Sequence, residues 1–60
     1  MKTYCIEFKR ELEDFQYLFV ACYVKPSFDE AIDLIRENGF EFNEKYDHVE
    51  SIYRPNIPQK

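Results

Sequence analysis

Phe15-Gln16-Tyr17-Leu18-Phe19-Val20-Ala21-Cys22-Tyr23-Val24 is the stretch that decides the fold. Side chains alternate across a strand, so one face carries Phe15, Tyr17, Phe19, Ala21 and Tyr23 and the other Leu18, Val20, Cys22 and Val24. Both faces are apolar, which is the pattern of a strand covered on both sides. A chain of 60 residues with one clear helical pattern can cover only one of them from within. The second face is expected to meet another copy of the chain or a different protein.

Upstream, Lys2 to Arg10 alternates cleanly, with Tyr4, Ile6 and Phe8 on one side and Thr3, Cys5, Glu7 and Lys9 on the other. This is a half-buried strand. The polar link Glu11-Leu12-Glu13-Asp14 joins it to the apolar strand, so the two form an antiparallel hairpin. No Asn-Gly or Asp-Gly fixes the turn, and the register stays open. With Arg10 opposite Phe15, Cys5 and Cys22 share a face; a shift of one residue puts them on opposite faces.

Downstream, Lys25-Pro26 stops the strand and Ser27-Phe28-Asp29-Glu30 matches a capping box, with Asp29 and Glu30 at the positive end of the helix dipole. Phe28, Ala31, Ile32 and Ile35 fall on one helical stripe, with Leu34 at its edge. Asn38-Gly39 supplies the stop, so a helix spans Ser27 to Asn38. Phe40-Glu41-Phe42 alternates over too short a span to distinguish a loop from a brief extra strand. Asn43 to Asp47 is a polar loop around Tyr46. His48 to Arg54 is a strand interrupted by a bulge or irregularity, and Pro55 and Pro58 make residues 55–60 an extended tail. The expected architecture is α+β: a small antiparallel sheet in the order β-β-α-β along the chain, one helix packed on one face, and residues 1–60 in a single small domain.

Composition narrows the function. The chain is 45% hydrophobic and 18% aromatic with one Gly, which is a folding composition. A domain this small buries only about 60% of its unfolded surface, and association is a common remedy. Twelve acidic against eight basic residues give a formal charge of −4, which disfavours direct nucleic-acid or anionic-membrane binding. Met1-Lys2-Thr3 runs straight into a strand without a leader-like apolar segment, no run is long enough to span a bilayer, and two cysteines are too few for a disulfide framework. A cytoplasmic location is expected.

The catalytic inventory is thin. His48 is the lone histidine, flanked by Asp47 and Glu50, an arrangement that equally describes a polar loop entering a strand. With Gly39 the only glycine, a phosphate-cradling loop is excluded. Cys5 and Cys22 lack metal-ligand spacing and are expected as free thiols. No enzymatic activity, metal or cofactor is expected.

Two patterns remain. Asp29, Glu30, Asp33 and Glu37 sit opposite the apolar stripe of the helix, with Arg36 the only base among them. They form either a solvated face or an acidic strip aimed at lysines and arginines of a partner, which Glu11, Glu13, Asp14, Glu41 and Glu44 could extend. Whichever sheet face the helix covers, the other retains Tyr17, Phe19 and Tyr23, or Leu18, Val20 and Val24, and exposed apolar and tyrosine-rich surface of that kind marks an interface. An aromatic sheet face can also stack single-stranded bases, but the nearby Lys2, Lys9, Arg10 and Lys25 are outnumbered by acids.

In size, acidity, lack of catalytic residues and surplus interaction surface, the chain resembles the short acidic inhibitors with which phages and mobile elements block host defence, such as anti-CRISPR proteins. The resemblance is one of kind and covers no alignable motif, so it carries over no residue roles. It implies a non-catalytic inhibitor or modulator that masks a basic, nucleic-acid-handling surface of a host protein. The alternative is a homodimeric accessory domain that uses its open sheet face only for self-association.

Overall fold

The computed structural model describes residues 1–55; the expected extension over 56–60 lies outside the described residues. The elements run β1 (Lys2–Arg10), β2 (Gln16–Cys22), α1 (Phe28–Glu37) and β3 (Asp47–Tyr53). The three strands form one antiparallel sheet in the order β2-β1-β3, so the α+β reading holds. β2 and β3 flank β1, whose alternation places Tyr4, Ile6 and Phe8 in the core. Phe40–Phe42 adds no strand.

The hairpin register pairs Cys5 with Phe19 and Phe8 with Gln16. This is the shifted register, so Cys5 and Cys22 point to opposite faces, and both thiols are free. The link between the strands explains the shift. Glu13 N–H donates to the Arg10 carbonyl at 2.6 Å, Glu11 N–H donates to the Tyr46 carbonyl at 3.1 Å, and Glu11 takes a φ of +35°. That left-handed backbone costs a side-chain-bearing residue about 1–2 kcal/mol, and no glycine or asparagine announces it in the sequence.

The helix begins and ends as its sequence dictates. The Ser27 hydroxyl accepts from Glu30 N–H at 3.2 Å, and the Glu30 carboxylate accepts from Ser27 N–H at 2.8 Å, closing the capping box. At the other end Phe40 N–H reaches the Ile35 carbonyl and Gly39 N–H the Arg36 carbonyl, a full Schellman motif with Gly39 at φ +89°. Ala31 and Ile35 are completely buried, with Ile32 and Leu34 packed beside them. Phe28, expected in the stripe, is exposed, because the first turn overhangs the core.

The returning segment is tied down at several points. The Phe8 ring meets Phe40 edge-on at 5.5 Å and Phe42 at 6.3 Å, and Arg36 donates to the Phe42 carbonyl at 3.0 and 3.2 Å. Asn43 organises the loop into β3: its carbonyl accepts from Tyr46 and Asp47 N–H, and its side chain from Lys45 N–H. Asp47 then opens β3 with a bidentate ion pair to Arg10, both contacts 2.8 Å. The expected irregularity in β3 is present: Glu7 pairs with Ser51 and Phe8 with Val49, which leaves Glu50 as the extra residue.

Candidate functional site

Three strands and one helix leave the sheet with a covered and an open face. Tyr4, Ile6, Phe8 and Ile52, with Leu18, Val20 and Cys22, lie under the helix. The opposite face carries Tyr17, Phe19 and Ala21 from β2, Cys5 and Glu7 from β1, and Ser51 and Tyr53 from β3. Phe15 joins it just before β2, its ring beneath the Lys9 ammonium at 4.9 Å. Phe19 is 62% exposed, while Cys5, its partner in the register and the centre of this face, is 1% exposed. The open face is therefore a shallow aromatic surface over a buried thiol. Ser51 donates to the Glu7 carboxylate at 3.2 Å within it. The Tyr53 phenol is pushed up to about 12, chiefly by its pairing with the Cys5 thiol and then by burial.

The helix sits off centre. Its backbone comes nearest to β3 among the strands, and Arg36 reaches Phe42 and pairs with Glu44 at 3.6 Å. The opposite flank stands away from the end of β2 and leaves a groove of about 400 Å³. Glu30, Asp33 and Glu37 form its helical wall with Leu34 between them, and Cys22, Tyr23, Val24 and Pro26 form the other side. None of the three acids pairs with a cation among the described residues. Leu18, Val20 and Cys22 stay half-buried because the helix only partly covers β2.

The residues expected to bind a partner thus divide between two surfaces. Glu30, Asp33 and Glu37 are brought together along one wall of the groove and stay exposed, away from the buried Ala31 and Ile35. Asp29 is exposed in the first turn and is not part of the groove. Tyr17 and Phe19 share the open face, whereas β2 ends at Cys22 and Tyr23 turns into the groove beside the acids. The other acids do not prolong the strip. Glu44 pairs with Arg36, and Glu13 and Glu41 border a separate hollow of about 210 Å³ around the Arg10–Asp47 pair, at the other end of the hairpin.

That ion pair is the polar feature that sequence reasoning missed. Asp47 is buried, and its carboxylate accepts from both Arg10 nitrogens and from Asn43 N–H at 2.7 Å. The Arg10 hydrogen bond holds its carboxyl below the usual carboxylate range, against the opposing effect of burial. Arg10 is correspondingly raised. Both carboxylate oxygens of Asp47 are engaged within the fold, so the pair's role is to lock β3 to β1. His48 turns away from Asp47 and contacts the exposed Glu50 at 3.1 Å.

Among the described residues no group of three or more histidine, cysteine, aspartate or glutamate side chains could hold a metal ion, and no helix is long and apolar enough to cross a membrane. No family model, curated protein or solved structure matches the chain.

Proposed function

We propose that this chain is a small acidic, non-catalytic binding protein that inhibits or modulates a partner by occupying a basic surface, of the kind that handles nucleic acid, on a host defence protein. The observation that carries this reading is the groove at the end of β2, where Glu30, Asp33 and Glu37, without a cation partner among the described residues, stand next to Tyr23, Val24 and Leu34. Three carboxylates along an apolar cleft attract lysine and arginine through charge and hold their aliphatic stems against the apolar floor. Nucleic acid would be repelled by the same wall. Immobilised chain, challenged with host lysate and eluted in rising salt, should retain basic proteins that Asp33→Lys/Glu37→Lys no longer retains. Retention that survives this reversal and disappears with Tyr17→Ala/Phe19→Ala would contradict the groove as the contact.

A second reading rests on the open face. Phe15, Tyr17, Phe19 and Tyr53 are all at least 40% exposed there, and two such faces could stack as a homodimer. Sedimentation would then find a dimer that Phe19→Lys dissolves while the circular dichroism spectrum is unchanged.

A further inference from the structure

The two edges of the sheet are built differently. The outer edge of β3 carries His48 and Glu50, is bulged at Glu50 and is followed by Arg54, and charges and bulges of this kind discourage further pairing. The outer edge of β2 has none of these devices. Gln16–Cys22 contains no charged residue, proline or bulge, and β2 pairs with β1 alone among the described residues. Alternate N–H and C=O groups along it therefore point outward without a strand to meet them. Of β2, only Cys22 borders the acid-walled groove, which therefore opens at that end of the strand on its helix side, while the aromatic face lies on the other side.

Granting that the chain binds a basic protein partner, we infer that the partner is captured by strand addition: an extended segment pairs with the free edge of β2, with lysine or arginine on its helix side reaching Glu30, Asp33 and Glu37 at the Cys22 end and apolar side chains on its other side toward Tyr17 and Phe19. A strand added there must alternate its side chains between the two faces of the sheet. On the helix side they meet the carboxylates at the Cys22 end and on the other side aromatic rings, so the preferred segment is basic on one side and apolar on the other. Charge also decides against a second copy as the occupant. Two copies would each bring a net charge of −4 to the joint sheet. A basic strand relieves the repulsion that a second copy would create.

The probe is a blocked peptide alternating lysine and valine, long enough to span Gln16–Cys22, titrated into the isotope-labelled full chain. Its binding should protect the β2 amides from hydrogen exchange. An analogue N-methylated at its backbone nitrogens keeps every charge but cannot form the ladder, and should bind about tenfold more weakly or worse. Asp33→Lys/Glu37→Lys should weaken the parent peptide by about tenfold, whereas Glu30 is left in place because it closes the helix cap. Equal binding of the N-methylated analogue would overturn strand addition, since attraction of charge alone would explain the contact. Failure of the parent peptide to bind would overturn it as well. So would β2 amides already protected in a free chain of dimeric mass, which would make a second copy the occupant. If a lysate partner is lost on charge reversal while the N-methylated analogue binds as well as its parent, the protein-binding reading stands and only strand addition falls.

Discussion

Asp47 and Cys5 are the residues whose surroundings differ most from what their neighbours in the chain suggest. Beside His48 and Glu50, Asp47 resembles one more solvated acid, because nothing local marks a partner as distant as Arg10. Its carboxyl titrates below its ordinary 3.8 in the folded chain. The unfolded chain therefore takes up this proton first, so the stabilisation is complete above that ordinary value and is lost as pH falls through the folded-state value. Denaturant midpoints should decline below about pH 4 in the parent chain, and Asp47→Asn should lower the midpoint at neutral pH while flattening that decline. An Asn variant with an unaltered acid limb would mean that the ion pair does not couple to folding. Cys5 belongs to the open face by register yet is fully buried, since the aromatic side chains around it close over it. Native thiol labelling should reach the half-buried Cys22 and spare Cys5, and Cys5→Ser should cost about 1–3 kcal/mol, the usual penalty for burying a hydroxyl. Rapid labelling of Cys5 in the folded chain would contradict this.

At the scale of elements, the helix was the part most legible in the sequence, because its signals are local. A capping box, an apolar stripe and a glycine stop each lie within a few residues of the structure they determine. Ser27→Ala should cost about 1 kcal/mol through the lost cap. Gly39→Ala should cost a similar amount, about 1 kcal/mol, from the positive φ alone. No atom lies within 4 Å of where the new methyl would sit, so steric clash adds nothing. Urea midpoints of the two variants check both values, and an unchanged midpoint for Gly39→Ala would place the Schellman turn in doubt. The strands were legible as strands, and the bulge in β3 was visible as broken alternation. Their register was not, because it depends on the left-handed Glu11 and on its contact with Tyr46, across the length of the fold.

For the whole molecule, the decisive fact is an imbalance: one short helix covers one side of a sheet whose open side still carries the exposed rings of Tyr17, Phe19 and Tyr53. The surplus was legible in the first strand pair. The division of the candidate residues was not, because it depends on the path of the chain after β2 ends at Cys22, which no local pattern marks. Tyr23 turns into the groove beside Glu30, Asp33 and Glu37, away from Tyr17 and Phe19. The most direct measurement is the affinity for the captured basic partner as a function of salt, in the parent chain and in Asp33→Lys/Glu37→Lys. Exposed charges are screened beyond about 8–10 Å at physiological ionic strength, so the parent's affinity should fall as salt rises and the variant should bind weakly with a flatter dependence. Equal affinities and equal salt slopes in the two proteins, with the variant folded, would contradict the account.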